Sequence, residues 1–437
     1  MNTEEYVSTK MEQIALNAKR LPEVSFTSLA HHVDLKWLYE ACKATRKDGA
    51  LGVDGQSAEG YAENLRENLE RLEQGFKSGR YKAPPVKRVY IPKDGKKELR
   101  PLGLPTYEDK ILQRAVKWVI EPIYEQDFYD CSYGFRPKRS AHGALEALWK
   151  GLMNMDGGWV IDLDIRKYFD TIQWSELIEV LKRRVSDGVI VRTIGKWMNA
   201  GIMEDGALRY PGEGTPQGGV ISPLLANIFL HYVLDEWLHK TVFPRLKGKA
   251  FEVRYADDVV ICFKLEEDAR KVLEVLPKRL SKYGLAMHPE KTKPVRFERP
   301  RNEEDRDGGT RPGTVRFLGF THYWGKSRKG NRVIVRKTGK ERLSRALAVM
   351  ADWCKSVMHR KIDEQHKELS RKMTGYYNYY GITGNFRSLG KYFHQVEAVW
   401  RKWLNRRSRK RNFHWIRMSA LLRAHPLPRP RIVHSFV

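Results

Sequence analysis

A pair of adjacent aspartates between two strand-forming runs is the feature that most constrains this chain. The stretch RYADDVVICF, from Arg254 to Phe263, places Asp257 and Asp258 between residues that favour β-strands. Each carboxylate raises the cost of ionising the other, so the pair needs an explanation. One explanation is a hairpin turn, which aspartate suits. The other is a pair of metal ligands.

A second apolar run also ends in carboxylates. WVIDLDI, from Trp159 to Ile165, is typical of a short buried strand and contains Asp162 and Asp164. Because side chains alternate between the two faces of a strand, these aspartates can share a face. If the two strands are neighbours, up to four carboxylates converge, and such a cluster repels itself unless a cation is present. Hard oxygen ligands favour Mg²⁺, and two such ions support phosphoryl transfer. The alternative is a set of solvated aspartates at strand ends.

The net charge of +27 is concentrated in the last quarter of the chain. Residues 325–437 hold 28 Lys and Arg against 6 Asp and Glu, whereas the first 324 residues hold 52 against 47. A basic segment this dense suits nucleic acid, because each neutralised phosphate releases counterions. The interleaved Trp and Tyr side chains can stack on bases. The alternatives are a general solubility charge and binding to an anionic membrane surface.

Composition also argues against several classes of protein. The chain has no run of about 18 apolar residues that would predict a transmembrane helix, and its polar N-terminus lacks the apolar core of a signal peptide. The four cysteines, Cys42, Cys131, Cys262 and Cys354, form no C-x-x-C pair, which argues against a structural zinc site and against a disulfide framework. We therefore expect a soluble protein of a reducing cytosol.

The hydrophobic periodicity predicts an α+β body followed by helices. Residues 26–76 have helical spacing, and strands are predicted for PPVKRVYIPK, VRFLGFTHYW and NRVIVRK. DARKVLEVLPKRLSKYG predicts an amphipathic helix. About three basic helices are expected in the last hundred residues. The first of them has one apolar face, formed by Leu343, Leu347, Met350, Cys354 and Val357.

Several sequence blocks follow one another in a specific order along nearly the whole chain. These blocks are GALGVDGQS, PPVKRVYIPKDGKKELRPLGLPTYEDKILQRAV, DCSYGFRPKRSAHGAL, VIDLDIRKYFDTI, GTPQGGVISPLLANIFL, RYADDVV, GLAMHPEKTKPVRF, VRFLGF and GYYNYYG. Together they resemble the blocks of bacterial group II intron reverse transcriptases, also called intron-encoded maturases. A single Y-x-D-D is a weak signal, whereas this ordered series is specific.

The resemblance implies a right-hand polymerase, with fingers and a palm that contains an antiparallel sheet, followed by an α-helical thumb. It implies an N-terminal extension and the start of the fingers in residues 1–83, and the fingers and palm in residues 84–325. Residues 326–437 would form the helical basic thumb, called domain X, with a short basic C-terminal tail. The paired cysteines of the endonuclease found in many family members are absent from this sequence, so we expect no endonuclease.

The resemblance also implies the metal ligands and the residue that selects the sugar. In the family, one aspartate from the first palm strand and two from the catalytic turn hold the metal, which correspond to Asp164, Asp257 and Asp258. Asp164 is chosen because the family places a bulky residue five positions later, here Phe169, which would exclude a ribose 2′-hydroxyl. The backbone carbonyl of Ile165 is expected as a further ligand. Asp162 and Asp170 stay open as alternatives, with Asp170 expected to cap the following helix.

Further residues correspond to the family's nucleotide and nucleic-acid contacts. Lys93 and Arg100 resemble the cations that hold the triphosphate, and Gln217 resembles the residue that contacts the nascent base pair. The glycines after Gln217 would permit close backbone approach. The residues expected to contact nucleic acid are Arg136, Lys138, Lys291, Arg406, Arg407, Arg409, Lys410 and Arg411.

The resemblance therefore implies an RNA-directed DNA polymerase that extends a primer 3′-hydroxyl, using two Mg²⁺ ions, with Mn²⁺ as an alternative. The expected partners are an intron RNA, an RNA template, a DNA primer or target, and deoxynucleoside triphosphates, in the cytoplasm of a bacterium and without a membrane. Two alternatives are a reassigned polymerase in DNA repair or phage defence, and a protein that acts mainly as an RNA-binding splicing factor.

Overall fold

The computed structural model describes residues 2–92, 99–204, 207–210, 218–288, 290, 292–300, 312–327, 329–408 and 413–436. The chain divides into two compact units. The first comprises Met1–Ala144 and Ile161–Pro294, and the second comprises Leu145–Val160 and Val295–Val437.

The first unit is rich in helices. Its α-helices are Thr3–Arg20 (α1), Leu35–Ala44 (α2), Ala58–Ala62 (α3), Leu65–Lys77 (α4), Tyr107–Asp127 (α5), the start of Ala141–Asn154 (α6), Tyr168–Thr171 (α7), Trp174–Lys182 (α8), Gly188–Met198 (α9), Ser222–Leu230 (α10) and Glu266–Ser281 (α11). Short 3₁₀ or π-helical turns are Ala30–His32, His231–Asp235, Leu238–Val242 and Phe243–Arg245. The helical spacing predicted for residues 26–76 and the amphipathic helix α11 are confirmed.

Helix α1 was not predicted, because its apolar residues are sparse. It begins at a capping box, in which the Asn2 side chain accepts from Glu4 N–H and the Glu5 side chain accepts from Asn2 N–H. Glutamates in the first turn and Lys19 and Arg20 in the last turn complement the helix dipole. End effects and packing, rather than a strong apolar stripe, thus stabilise this helix.

The first eight described strands form two four-stranded sheets. The strands are Val86–Pro92 (β1), Leu99–Leu104 (β2), Trp159–Leu163 (β3), Ile202–Glu204 (β4), Ala207–Arg209 (β5), Ala250–Tyr255 (β6), Asp258–Phe263 (β7) and Pro294–Arg296 (β8). One sheet has the order β2-β1-β4-β5 and the other β6-β7-β3-β8. The pairs β1–β2, β4–β5 and β6–β7 are antiparallel, whereas β1 and β4 are parallel. This confirms a mixed α and β fold with antiparallel strand pairs.

The core of the first unit forms around α5 and β7. Helix α5 is capped by Thr106, whose hydroxyl accepts from Asp109 N–H, and its apolar residues from Ile111 to Ile123 are buried except for the half-buried Trp118. In β7, every residue from Val259 to Phe263 is fully buried. Such a strand is an apolar run rather than an alternating one, and it anchors the hairpin whose turn carries the adjacent aspartates.

The second unit pairs a small sheet with helices. Its antiparallel sheet has the order β11-β10-β9, formed by Val315–Phe317 (β9), Phe320–Lys326 (β10) and Arg332–Thr338 (β11). The helices are Lys340–Ser356 (α12), Ile362–Tyr380 (α13), Phe386–Asn405 (α14) and Trp415–Ala424 (α15). The sequence therefore underestimated the helices by one among the described residues. The predicted apolar face of α12 is confirmed, since Met350 and Cys354 are buried and Leu343 and Leu347 pack against the same core.

Candidate active site

The adjacent aspartates lie at the tip of the β6–β7 hairpin, as predicted. Tyr255 pairs with Asp258, so Ala256 and Asp257 form a two-residue turn. Ala256 has a φ of 57°, a left-handed conformation that is uncommon for a residue with a Cβ. Asp258 begins β7 and is exposed, whereas Asp257 is half-buried. The turn thus holds two carboxylates at one end of a buried strand.

Asp164 follows directly after β3, the strand next to β7 in the sheet. Its backbone is held at both polar groups: the carbonyl accepts from His288 N–H at 2.9 Å, and the N–H donates to the Thr292 hydroxyl at 3.4 Å. Its side chain is half-buried. Because neighbouring strands are about 4.8 Å apart, this strand order brings distant parts of the sequence together.

The electrostatics of Asp257 show which charges converge on the turn. Burial raises the pKa of Asp257, and the Asp164 carboxylate raises it as well. Arg100 and Arg254 oppose this increase because their positive charges favour the carboxylate. The structure therefore brings Asp164, Asp257 and Arg100 within electrostatic reach of one another.

A buried ion pair supports the turn, and the sequence analysis did not find it. Arg254 and Asp235 are both fully buried, and the guanidinium donates to the two carboxylate oxygens at 2.5–3.1 Å. The same guanidinium donates to Asn227 Oδ1 at 2.9 Å and to the Ala256 carbonyl at 3.2 Å. Arg254 therefore fixes the residue that precedes Asp257. No local pattern links Arg254 to Asp235, which lies 19 residues earlier.

Residues 131–134 pack beside the hairpin. Tyr133 N–H donates to the Arg254 carbonyl at 2.8 Å, and Asn227 Nδ2 donates to the Gly134 carbonyl at 2.6 Å. A Cβ on Gly134 would lie 2.3 Å from the backbone nitrogen of Ala256, so only glycine permits this approach. In the sequence, a glycine followed by a phenylalanine does not indicate this contact with the turn.

The residues after Asp164 turn back toward the hairpin. Tyr168 is fully buried and its hydroxyl donates to the Ala226 carbonyl at 2.6 Å. Burial raises the pKa of Tyr168 well above its ordinary value, and the negative charge of Asp257 adds to the increase. The Phe169 ring packs edge-on against the Tyr168 ring at 5.3 Å. Tyr168 thus connects the turn with Phe169.

The Ile165 side chain is buried, and its backbone bridges Met287. The hydrogen bonds of this bridge belong to the flanking residues: His288 N–H donates to Asp164, and Arg166 N–H donates to the Ala286 carbonyl at 2.8 Å. In this antiparallel pattern the carbonyl of the bridging residue points away from its partner strand. The Ile165 carbonyl therefore faces away from Met287.

The two alternative aspartates occupy different positions. Asp162 lies within β3 and is exposed. Asp170 lies inside the short helix α7, and its N–H donates to the Lys167 carbonyl at 2.7 Å. The prediction that Asp170 caps the following helix is wrong, because Gln173 occupies the position before α8.

The structure describes only some of the residues that were predicted to contact the nucleotide. Arg100 lies on β2, is exposed and pairs with Ile91. Lys93, Gln217 and Lys291 lie outside the described residues. Gly218 has a φ of 116°, and a Cβ there would lie 2.5 Å from the Gly103 carbonyl oxygen of β2. The close backbone approach predicted at this glycine is confirmed.

A glutamine that the sequence analysis passed over fixes the loop after Gly218. The Gln113 Oε1 atom accepts from Val220 N–H at 2.8 Å, and its amide donates to Asp109 at 3.2 Å. Gln113 lies on the buried helix α5, so the loop is held by the core of the first unit.

The structure gives Arg136 a role different from the predicted phosphate contact. Its side chain is buried and donates to Glu125 and to the carbonyls of Tyr129 and Ser132 at 2.8–3.2 Å. These bonds occupy its guanidinium, so Arg136 organises its own loop. Lys138 is exposed, with a φ of 58°.

In the second unit, Arg406 and Arg407 are exposed at the end of α14, and Arg406 lies over the Trp403 ring at 5.1 Å. The predicted Arg409, Lys410 and Arg411 lie outside the described residues. Among the residues that are described, the exposed cations of this cluster are thus accompanied by an aromatic ring that can stack.

The oxygen atoms near the turn suit a hard divalent cation. Asp164, Asp257 and Asp258 supply carboxylates, and the Ile165 carbonyl is a neutral oxygen close to the first of them. Magnesium prefers oxygen ligands of this type. Burial is the main cause of the raised pKa of Asp257, and the nearby Asp164 carboxylate adds to the increase.

Comparison with known proteins identifies similar chains. A family model described as reverse transcriptase (RNA-dependent DNA polymerase) matches residues 91–322. Protein YkfC of Escherichia coli is 41% identical over 226 residues, which cover 50% of this chain and 58% of that protein. The group II intron-encoded protein LtrA of Lactococcus lactis is 33% identical over 285 residues, which cover 62% of this chain and 46% of that protein. The chain thus spans about half the length of these relatives.

Nuclear intron maturase 4 of Arabidopsis thaliana, described as mitochondrial, is 28% identical over 141 residues, which cover 32% of this chain and 17% of that protein. Within the described residues, no helix combines the length and the apolar character needed to cross a membrane.

Proposed function

Because the chain belongs to the reverse transcriptase (RNA-dependent DNA polymerase) family, we propose that it extends a primer 3′-hydroxyl with deoxynucleotides on an RNA template. The resemblance found in the sequence is thereby confirmed at the level of the family. The observation that supports the activity best is the convergence of Asp164 on Asp257, with Asp258 next in the chain. Three carboxylates from two strands form an acidic site of the kind that phosphoryl transfer requires.

The proposed metal ligands are Asp164, Asp257, Asp258 and the carbonyl of Ile165. Family members use divalent metal ions, and we propose two Mg²⁺ ions here, with Mn²⁺ as an alternative. When bound, such a pair activates the attacking hydroxyl and stabilises the leaving oxygen. The protein itself would fix the carboxylates before substrate arrives, through Arg254 behind the turn and the backbone bonds of Asp164.

Substrate contacts are proposed around this site. Arg100, whose charge already acts on Asp257, would hold the triphosphate together with Lys93. Phe169, held by Tyr168, would exclude the 2′-hydroxyl of a ribonucleotide. Gln217 would contact the nascent base pair, because the loop after it packs against β2. Lys138 and Lys291 are proposed to contact template or primer phosphates.

We also propose that the basic part of the chain binds an intron RNA and assists its splicing and mobility. The similarity to LtrA, named as a group II intron-encoded protein, and the concentration of charge after residue 325 support this role. The division into residues 1–83, 84–325 and 326–437, as extension, fingers with palm, and thumb, remains part of this proposal. A reassigned polymerase without an intron is the second candidate, because the polymerase residues alone do not specify an RNA partner.

Primer extension on an RNA template with Mg²⁺ tests the polymerase proposal. Asp257→Asn together with Asp258→Asn should abolish extension and leave intron RNA binding unchanged, because the change keeps the shape of the turn. Persistent extension would exclude these ligands. Loss of both functions together would show that the substitutions disturb the whole fold. The circular dichroism spectrum of the variant would reveal such a loss of folded structure.

The salt dependence of RNA binding tests the basic cluster. Neutralising five residues should reduce the slope of log affinity against log salt by about 3.5–4.5, if each contacts one phosphate. The five residues are Arg406, Arg407, Arg409, Lys410 and Arg411. An unchanged slope would place the cluster away from RNA.

A further inference from the structure

A second group of metal-binding side chains lies in the first unit, on the opposite part of β6 from the turn. Cys131 is the first residue of the segment that packs beside the hairpin, His239 lies on the helical turn Leu238–Val242, and Glu252 lies on β6. The Cys131 Sγ atom is 3.3 Å from Glu252 Oε1, and His239 Nε2 is 3.2 Å from the same oxygen. The three ligand atoms all lie within 4.8 Å of one another.

We propose that Cys131, His239 and Glu252 bind a zinc ion, or a similar borderline divalent metal, with water as the fourth ligand. In tetrahedral zinc sites, bonds of about 2.0–2.3 Å place neighbouring ligand atoms about 3.3–3.7 Å apart. The spacings at Glu252 Oε1 are close to these values. A thiolate and an imidazole select zinc over magnesium, so this site differs in chemistry from the carboxylates of the turn.

An orphaned buried oxygen supports the proposal independently. Glu252 is only 3% exposed, and among the described residues its Oε2 atom has no hydrogen-bond partner. His239 Nε2 is also buried and lacks a well-directed hydrogen bond, despite its short distance to Glu252. A buried carboxylate oxygen without a partner destabilises the folded protein, and an ion is a common explanation for such groups. A metal ion would satisfy His239 Nε2, and it would satisfy Glu252 Oε2 as well when the carboxylate binds through both oxygens.

The hydrogen bonds of the neighbouring Arg254 side chain go to residues other than Glu252. Arg254, two residues later on the same strand, donates to Asp235, Asn227 and the Ala256 carbonyl. Its guanidinium therefore acts on Glu252 only through its charge, and it leaves the Glu252 oxygens available as ligands.

Access and orientation also suit a metal. The side chain of His239 is 37% exposed, which gives an ion a path from solvent. The Tyr129 ring lies 4.6 Å from the His239 ring, and the Phe243 ring packs against it edge-on at 5.1 Å. These rings hold the imidazole in the orientation that directs Nε2 toward Glu252.

A metal here would connect three segments that support the catalytic turn. The Cys131 carbonyl accepts from Arg254 N–H at 2.8 Å, and Gly134 three residues later contacts Ala256. The metal would therefore fix the segment that lies against the turn. Sequence analysis argued against zinc because no two cysteines are close, but this site needs only one cysteine and two distant partners.

Zinc content and zinc affinity of the full-length protein test the proposal. Protein reconstituted with zinc and dialysed should retain one ion per chain, as measured by mass spectrometry and by competition with a chromophoric chelator. Cys131→Ser and His239→Asn should each weaken zinc binding by more than about 100-fold. Loss of a residue that only contacts a metal ligand typically weakens binding by about 10- to 100-fold. Cys42→Ser is the matched control, since Cys42 is also a half-buried thiol but lies near Tyr107. It should bind zinc like the unmodified protein.

Two further measurements keep the proposal testable if a variant fails to fold. In the unmodified protein, zinc should slow alkylation of Cys131 and leave that of Cys42 unchanged. Asp257→Asn with Asp258→Asn should retain the zinc, which separates this site from the catalytic carboxylates. The proposal would be overturned if no zinc were bound, or if Cys131→Ser and Cys42→Ser bound zinc with equal affinity. It would also be overturned if zinc did not change the rate of Cys131 alkylation.

Discussion

Replacing Asp235 by asparagine tests whether the buried ion pair holds the turn between β6 and β7. Arg254 and Asp235 have side chains with 0% exposure, so solvent does not screen the charge that remains after the substitution. Among the described residues, the side chain of Arg254 makes five hydrogen bonds, three of them to Asp235. Removing one partner of such a pair typically costs about 3–5 kcal/mol, because the other charge stays buried without compensation. This is a large part of the roughly 5–15 kcal/mol that stabilises a folded protein.

The neighbouring acid provides the matched control. Glu236 follows Asp235 directly but pairs at the surface with Arg183 at 3.1 Å and Lys240 at 2.7 Å. Such exposed pairs contribute about 0–1 kcal/mol, so Glu236→Gln should change stability little. Denaturant unfolding, followed by circular dichroism, compares the two variants, and hydrogen exchange of the hairpin amides shows whether the loss is local. A loss for Asp235→Asn within about 1 kcal/mol of that for Glu236→Gln would refute the reasoning.

A double substitution separates stability from positioning. Asp235→Leu with Arg254→Met replaces the ion pair by apolar side chains of similar size, which often restores stability. It also removes the hydrogen bond from Arg254 to the Ala256 carbonyl. We therefore expect the free energy of unfolding to recover and primer extension to stay impaired. Recovery of both would show that the bond to Ala256 does not position the aspartates.

Three other predictions follow from single positions. Gly134→Ala should slow primer extension, since its Cβ would meet the Ala256 nitrogen at 2.3 Å. Gly195→Ala, with open space in α9, should stabilise the fold by about 0.5–1 kcal/mol. Equal changes in stability and in extension rate for the two variants would contradict the packing argument. Phe169→Ala should raise ribonucleotide incorporation, and an unchanged sugar preference would remove its role as a gate. Burial, and then the charge of Arg336, lower the pKa of His322 to about 3. Because the unfolded histidine binds a proton below about pH 6.5, stability should fall as the pH drops from 6.5 toward 3, and His322→Gln should flatten that decline in acid-unfolding curves.

Local patterns predicted the parts of the site that depend on neighbouring residues. The hairpin follows from apolar runs on both sides of Asp257 and Asp258, and the structure places the turn there. The strand ending before Asp164 follows from the apolar run WVIDL. In these segments propensity, burial and turn chemistry favour the same conformation, so a short window of sequence contains enough information.

Contacts between distant residues could not be predicted from such windows. Asp235 becomes a partner of Arg254 only when a helical turn packs behind β6, and Arg136 becomes buried only because Glu125 on α5 is nearby. A surface cation and a buried one look alike in sequence. The family resemblance supplied the pairing of Asp164 with the turn, whereas the arrangement of Cys131, His239 and Glu252 required the structure.

The rate of primer extension by Asp164→Asn, compared with Asp162→Asn, tests the central claim most directly. The two aspartates are two positions apart, but Asp164 follows β3 and acts on Asp257, whereas Asp162 is exposed within the strand. On an RNA template with Mg²⁺, Asp164→Asn should slow extension by at least about 100-fold, more than the typical loss of an outer-shell partner, and Asp162→Asn should extend normally. Normal extension by Asp164→Asn would contradict the assembly of carboxylates that we propose as the catalytic centre.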